Sequence, residues 1–270
     1  MNGIPEIGMR AHDLNAHTPQ ALQEKCKALQ IPYVQLALRK SFSEIAWTNH
    51  TFSIGLAEKI KADLGDVRIS VLGSYINLLA EGEALEHELN VFRQNMLFAK
   101  FLGAGVVGTE TGLSGHSEAD YQKVCRAVRT LADDAEKLGV MIGIEGVKQH
   151  TIHSPQMMRR LLDDVDSPNV LTIFDPINYL SADNYTEQDQ IIRDAFSLLA
   201  DKMTAVHLKD YTVTDGMLRL VQIGSGDFNM KLLFDCIRAE KPYMDVLLEG
   251  SSEELFHTER QAVLTKAEII

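Results

Sequence analysis

Four residues able to bind a metal ion each stand at the downstream end of a short apolar, strand-like run. Glu145 ends the first of these runs, and the next three runs lead into Asp175, His207 and Glu249. A strand buried on both faces cannot hold a charge, so each polar residue must emerge where solvent, substrate or metal accepts it. Three carboxylates and one imidazole form an oxygen-rich set that favours Mn²⁺ or Mg²⁺ and permits Zn²⁺ or Co²⁺. We therefore predict one divalent metal ion per chain.

Eight apolar runs with strand character, separated by segments of helical period, predict the frame that positions these residues. The runs lie at about 6–10, 33–38, 67–72, 105–109, 140–144, 170–174, 203–208 and 245–248. A strand followed by a helix, eight times over, predicts an α/β protein with a closed parallel (β/α)8 barrel, a TIM barrel. Because no linker or low-complexity segment interrupts the pattern, we expect one domain over residues 1–270.

Capping residues mark several of the predicted helix starts. Thr18 and Ser154 each precede a proline, a pairing typical of an N-cap followed by the first helical position. Ser117 is followed three residues later by an acidic residue, as in a capping box. The same device at Thr186 predicts a helix over 190–199.

A closed parallel barrel would bring the four candidate ligands together. All strand carboxyl ends open on one face of such a barrel, so strands five to eight would place the ligands over half of its mouth. An open doubly wound sheet is the alternative, but the first strand is not followed by the glycine-rich turn of a dinucleotide site. The simplest other explanation is four unrelated polar residues where buried strands meet loops.

Composition favours small-molecule chemistry. The chain carries 26 basic and 38 acidic residues, a formal net charge of -12, which argues against a nucleic-acid or anionic-membrane partner. Its three cysteines are widely spaced, as expected in a reducing compartment. The amino terminus lacks the pattern of a signal peptide and no apolar run is long enough for a membrane span, so we expect a cytoplasmic protein. A homo-oligomer remains an open alternative.

The strand ends also resemble, in order, the motifs of the xylose-isomerase-like TIM barrels. This family includes sugar and sugar-phosphate isomerases and epimerases, inosose dehydratases and endonuclease IV repair enzymes. The resembling motifs are Ile144-Glu145-Gly146-Val147, Phe174-Asp175-Pro176-Ile177-Asn178, Val206-His207-Leu208-Lys209-Asp210, Gly224-Ser225-Gly226-Asp227 and Leu248-Glu249. The resemblance implies a divalent metal on Glu145, Asp175, His207 and Glu249, with the two glutamates as a catalytic acid-base pair. The implied activity is a metal-dependent isomerase or epimerase that abstracts a proton beside a carbonyl, through a metal-stabilised enediolate.

Three positions depart from the ketose 3-epimerases of this family. Asn178 replaces a histidine, Thr151 replaces a glutamate and Val213 replaces an arginine. The motif His207-Leu208-Lys209-Asp210 instead resembles the corresponding motif of the phosphosugar epimerases, inosose dehydratases and hydroxypyruvate isomerases. Free-ketose 3-epimerisation is therefore not favoured, and a dehydratase using the same metal site or a non-catalytic sugar-binding barrel remain alternatives.

Four further residues are candidates for binding a carbohydrate substrate. Glu110 ends strand four and His150 follows strand five, while Lys209 and Asn178 neighbour the predicted ligands. Each has a simpler interpretation as an ordinary polar residue of a loop.

Two more features bear on the identity of the substrate. The loop Gly224-Ser225-Gly226 follows strand seven and precedes a helix, so its backbone N–H groups could hold a phosphate. Its glycines could equally serve only a tight turn, which leaves a phosphorylated and an uncharged substrate nearly balanced. Trp47 could cover a sugar face, although packing within its loop is the favoured interpretation.

Overall fold

Eight parallel strands close into a barrel, which confirms the predicted TIM-barrel fold. The computed structural model describes residues 6–48 and 51–270. The described strands are β1 (Ile7–Arg10), β2 (Tyr33–Leu36), β3 (Arg68–Gly73), β4 (Val106–Glu110), β5 (Met141–Glu145), β6 (Val170–Phe174), β7 (Met203–Leu208), β8 (Asp210–Thr214), β9 (Met217–Val221) and β10 (Asp245–Leu248). Around the barrel they follow the order β1-β10-β7-β6-β5-β4-β3-β2, and β8 pairs with β9 outside it.

Helices occupy the intervals between the barrel strands. The described α-helices are α1 (Pro19–Leu29), α2 (Leu38–Ser41), α3 (Ile54–Leu64), α4 (Gly82–Leu102), α5 (Glu118–Leu138), α6 (Pro155–Val165), α7 (Gln188–Leu199), α8 (Met230–Glu240) and α9 (Phe256–Lys266). Within residues 6–48 and 51–270, none of them combines the length and apolarity that a membrane span requires.

The predicted helix caps are confirmed at three of the four positions. The side-chain oxygens of Thr18, Ser117 and Ser154 each accept a hydrogen bond from a backbone N–H in the first turn of α1, α5 and α6. The prediction for Thr186 is wrong. It lies inside a short 3₁₀ turn that runs directly into α7, and α7 begins at Gln188 without a side-chain cap. Such 3₁₀ turns are frequent at the ends of α-helices.

The inside of the barrel is filled by a separate cluster of buried side chains. Its members are Tyr33, Val71, Val106, Ile173, Ala205 and Leu247. On β1, β4 and β5 the glycines Gly8, Gly108 and Gly143 face the same cluster. Because side chains alternate between the two faces of a strand, the positions two residues beyond these glycines, and two beyond the cluster members on the other five strands, face inward as well. In order around the barrel, these positions are Arg10, Gln35, Gly73, Glu110, Glu145, Asp175, His207 and Glu249. This ring, one residue per barrel strand, is the layer on which a site at the barrel mouth is built.

The β8-β9 hairpin is an element that the strand predictions missed. It leaves the barrel directly after β7 and pairs antiparallel, with Thr214 opposite Met217. The two turn residues between them, Asp215 and Gly216, both have positive φ angles, of 53° and 72°. An Asp-Gly pair between alternating residues is a strong hairpin signal, so the sequence did contain the information.

Candidate metal centre

The structure brings Glu145, Asp175, His207 and Glu249 together at the carboxyl end of the barrel. Each offers one ligand atom, and these atoms all lie within 4.8 Å of one another. His207 Nδ1 lies 3.3 Å from Glu145 Oε1 and 3.2 Å from Glu249 Oε2, so the imidazole faces both glutamates. Glu145, Asp175 and His207 are buried and Glu249 is half-buried, which leaves the cluster open to the mouth on the Glu249 side.

Asp175 is oriented by the turn that follows β6. Its Oδ1 accepts hydrogen bonds of 3.0 Å from the backbone N–H groups of Ile177 and Asn178. These bonds fix the carboxylate, because one oxygen is committed to the turn and the other, Oδ2, lies 2.7 Å from Lys209 Nζ. A carboxylate held in this way is pre-oriented to offer Oδ2 to a cation.

Asn178 and Lys209, both predicted to bind substrate, contact the candidate ligands. Asn178 Nδ2 donates to Glu145 Oε1 over 2.7 Å, and its Oδ1 accepts from Lys209 Nζ over 2.9 Å. Lys209 Nζ also lies 3.1 Å from Glu249 Oε1. Asn178 and Lys209 therefore link Glu145, Asp175 and Glu249 into one network of polar contacts. Their contact with a substrate stays a prediction.

Electrostatics at the cluster favour a further positive charge. Burial opposes ionisation of Glu249, but the charges of Lys209, His207 and Arg10 outweigh it and lower the pKa of Glu249. Burial raises the pKa of Asp175 despite the opposing charge of Lys209. Arg10 Nη1 lies 2.8 Å from Glu249 Oε1, but the guanidinium also pairs with Asp13.

The charges around Glu145, Asp175, His207 and Glu249 indicate whether these four side chains can hold a metal ion. When His207 is neutral, as a metal ligand must be, three carboxylates face one lysine and a shared arginine, so negative charge remains in excess. A divalent cation would neutralise that excess, and oxygen-rich ligands with one imidazole suit Mn²⁺, Mg²⁺, Zn²⁺ or Co²⁺. The residues present therefore fit one divalent ion.

Glu110 and His150 lie at the rim of the same site. Glu110 Oε2 is 3.6 Å from His150 Nδ1, and a backbone bridge between Leu113 and His150 joins the loops that follow β4 and β5. Burial and the negative charges of Glu145 and Glu249 raise the pKa of Glu110 to about 7. Glu110 is therefore close enough for the charges of Glu145 and Glu249 to affect it, and its carboxyl titrates near neutral pH. Its contact with a substrate also stays a prediction.

A glutamine at position 110 is expected to stabilise the metal-free protein at alkaline pH. The raised pKa of Glu110 means that its charged form destabilises the fold, with a penalty that grows from pH 4.5 and is complete above about 7. Because the side chain is 35% exposed, solvent screening reduces this penalty to about 1 kcal/mol. In thermal melts with a chelator, the Tm of Glu110→Gln should be higher than that of wild type at pH 8 and similar to it at pH 5. A variant less stable than wild type at pH 8 would contradict the assignment.

The backbone N–H groups of Gly224-Ser225-Gly226, for which a phosphate site and a tight turn were both open, bind a side chain of the protein itself. Asp210 is buried, and its Oδ2 accepts from the N–H groups of Gly224 and Gly226 over 2.9 and 2.8 Å. Its Oδ1 accepts from the N–H of Phe228 over 3.1 Å. A Cβ on Gly226 would lie 2.3 Å from that oxygen, so glycine is needed for the close approach. The interpretation of this loop as a phosphate site is corrected: its anion is Asp210.

Trp47 packs within its loop, as the favoured interpretation held. Its ring contacts those of Phe52 and Phe98, at centroid distances of 5.5 and 6.3 Å, and its Nε1 donates to the carbonyl of Phe42. An aromatic residue near the candidate ligands is Tyr75, whose hydroxyl accepts a 2.7 Å hydrogen bond from Gln35 Nε2. Neither Tyr75 nor Gln35 was among the predicted site residues. The available signal was the inward-facing glycine at 73, which leaves room above β3 for a ring.

The fold and site together define a (β/α)8 barrel with a four-residue candidate metal centre at its carboxyl face. A sequence model of the family described as xylose isomerase-like TIM barrel matches residues 23–266. The chain belongs to this family. No curated protein matches the sequence.

Solved structures share this fold at low sequence identity. The IOLI protein with a bound zinc atom has a TM-score of 0.76 and 17% identity, over 97% of this chain and 98% of that chain. The 3-keto-D-glucoside 4-epimerase YcjR from E. coli has a TM-score of 0.75 and 17% identity, over 98% and 100%. The probable 3-DHS dehydratase AsbF from Bacillus anthracis has a TM-score of 0.75 and 14% identity, over 96% and 98%.

Proposed function

We propose that this protein is a divalent-metal-dependent isomerase or epimerase of a sugar or related polyol ketone. The observation that carries the proposal is the convergence of Glu145 and Glu249 on His207 Nδ1, at 3.3 and 3.2 Å. Two carboxylates at one centre can remove a proton from one face of a substrate and return it to the other. The epimerase and the zinc-bound barrel among the structural neighbours support the same class of chemistry.

Each group of the site has a separate task in this proposal. A divalent ion held by Glu145, Asp175, His207 and Glu249 would polarise a substrate carbonyl and acidify the adjacent C–H bond. Lys209 and Arg10 keep Glu249 ionised and able to accept a proton, since their charges lower its pKa against the effect of burial. Asn178 holds Glu145 Oε1 in place through its amide.

An uncharged substrate fits the site better than a phosphorylated one. The backbone N–H groups that would hold a phosphate after β7 are bonded to Asp210. The two cations nearest the candidate ligands, Lys209 and Arg10, already pair with carboxylates. We therefore assign the substrate to free sugars or polyol ketones.

Deuterium incorporation from D2O tests the proposal. The Mn²⁺-loaded protein is incubated with a panel of ketoses and ketoinositols, and NMR follows the exchange of hydrogen at the carbon beside the carbonyl. At least one substrate is expected to gain deuterium during turnover, because the abstracted proton mixes with solvent. A protein that binds metal but exchanges no substrate hydrogen would contradict the proposal and favour a non-catalytic sugar-binding barrel.

Dehydration is the second candidate, and Glu110 is the observation that favours it. In the metal-free protein the pKa of Glu110 is about 7, and burial, the first cause of this rise, does not depend on a metal. A protonated Glu110 could donate its proton to a departing β-hydroxyl, which leaves as water. The probable dehydratase among the structural neighbours is consistent with this outcome. Appearance of enone absorbance with an inosose substrate, lost in Glu110→Gln, would identify dehydration.

A further inference from the structure

The half of the barrel mouth opposite the candidate ligands carries polar atoms that the protein leaves unused. It is formed by the ends of β1, β2 and β3, whereas the ligands come from β5, β6, β7 and β10. Among the residues the structure describes, Gln35 Oε1 and His12 Nδ1 are buried without a hydrogen-bonding partner. A buried acceptor left unpaired costs about 1 to 3 kcal/mol, so these atoms require a partner that the protein itself does not supply.

Gln35 is fixed on the inner side of the barrel, with its amide oxygen unpaired. It follows Tyr33 by two residues on β2 and so belongs to the inward-facing ring that also holds the metal ligands. The side chain is 1% exposed, and its amide nitrogen is committed to the hydroxyl of Tyr75 over 2.7 Å. This bond sets the amide orientation, since the nitrogen donates to Tyr75 and the oxygen is left free to accept.

Tyr75 reaches the mouth because Gly73 has no side chain. A Cβ at Gly73 would lie 3.0 Å from Tyr75 Cε2 and 3.6 Å from Gln35 Nε2. The Tyr75 side chain is 45% exposed, and burial of its hydroxyl together with the charges of Glu145 and Glu249 raises its pKa well above the usual range. The phenol therefore stays protonated. Its oxygen accepts from Gln35, which leaves its O–H free to donate.

His12 carries a third unpaired polar atom, at the carboxyl end of β1. It follows β1 directly, and its Nε2 lies 3.8 Å from Asp13 Oδ1. Burial lowers the pKa of His12, so the ring is neutral at physiological pH. The three free groups are thus all uncharged: one amide oxygen, one phenol O–H and one imidazole nitrogen. A hydroxyl group both donates and accepts, so it matches these three uncharged groups. One exposed cation lies near them, since Lys40 Nζ is 5.8 Å from the centroid of the Tyr75 ring.

We propose that Gln35 and Tyr75, assisted by His12, form a subsite for hydroxyl groups at the non-reacting end of the substrate. The inference rests on the proposed function and makes it narrower: the substrate is an uncharged polyhydroxylated ketone long enough to span the mouth. Reaction occurs at the ligand half of the ring, and the chain length and hydroxyl pattern are selected at the Gln35 half. A site built to bond a hydroxyl discriminates strongly against an analogue that lacks it.

The subsite is tested by comparing a six-carbon ketose with a four-carbon ketose in the D2O exchange assay. Tyr75→Phe removes only the hydroxyl, and Gln35→Leu removes the free oxygen. Tyr243→Phe is the matched control, because Tyr243 is 80% exposed and precedes the amino end of β10, at the opposite end of the barrel. Both mouth variants are expected to lower kcat/KM for the six-carbon ketose by about 10-fold or more. Exchange of the four-carbon ketose should stay within about 2-fold of the control.

Two outcomes would overturn the subsite. One is an equal loss of activity on both ketoses, which indicates a general effect on the active site. The other is an unchanged kcat/KM for the longer ketose in both variants. If the wild type exchanges no ketose, the subsite is judged by calorimetric binding of sorbitol, and the proposed function itself fails only if no ketoinositol is exchanged either. Weaker sorbitol binding by Tyr75→Phe than by Tyr243→Phe would then support it, and equal binding would overturn it.

Discussion

Replacing Glu145 or Glu249 by glutamine is expected to slow hydrogen exchange at least about 1,000-fold and to leave the fold intact. A glutamine cannot take up or release a proton at neutral pH, so each variant loses one half of the acid-base pair. In Glu145→Gln, the amide oxygen would still accept the hydrogen bond that Asn178 Nδ2 donates to the native carboxylate. Loss of the Glu249 carboxylate leaves Arg10 paired with Asp13, and Lys209 paired with Asp175.

Exchange in these variants is measured in D2O at a metal concentration that saturates the wild type, beside a thermal melt of each protein. Glu254→Gln is the control, because Glu254 is an exposed acid on the loop that follows Glu249. Wild-type exchange rates in either variant would contradict the assigned roles. Loss of cooperative melting in both would point to structural roles instead.

Replacing Asp210 by alanine is expected to destabilise the protein by about 3 to 5 kcal/mol, the range for removing one partner of a buried charged network. Its carboxylate accepts from the backbone N–H groups of Tyr211, Gly224, Gly226 and Phe228. Alanine would leave these donors without their acceptor, and each unpaired buried group costs about 1 to 3 kcal/mol before water compensates. The result would be a drop in Tm of roughly 10 °C.

Urea denaturation of Asp210→Ala and Asp227→Ala provides the matched comparison. Asp227 lies in the same loop but at the surface, where its Oδ2 accepts from Thr212 Oγ1. Its replacement should change the free energy of unfolding by no more than about 0.5 kcal/mol. If Asp210→Ala were as stable as Asp227→Ala, the carboxylate would not be the anchor of this loop.

The sequence predicted the barrel and its candidate ligands because both depend on local patterns. Every buried strand shows an apolar run, and a charge at its end must emerge at the mouth, as Glu145 and Asp175 do. Glu110 and His150 were found for the same reason, since they follow strands four and five. The TIM barrel was thus predictable from the period of the pattern alone.

Contacts between distant segments were not predictable in the same way. Asp210 binds the backbone N–H groups of Gly224 and Gly226, although the β8-β9 hairpin separates them in the sequence. The sequence alone could not show whether these N–H groups face a ligand or a side chain. Gln35 and Tyr75 meet only because β2 and β3 are neighbours and Gly73 makes room. The start of α7 was misplaced because Thr186 lies inside the 3₁₀ turn that precedes the helix and does not cap it.

The most direct test of the account is the metal content of the purified protein. Wild-type protein is saturated with Mn²⁺, freed of unbound ion and subjected to elemental analysis, in parallel with the double variant Asp175→Ala, His207→Ala. Glu118→Gln, an exposed acid on α5 paired with Arg160, serves as the control. The candidate centre predicts one ion per chain in the wild type and the control, and none in the double variant. Two or more ions per wild-type chain, or an ion retained by the double variant, would contradict it.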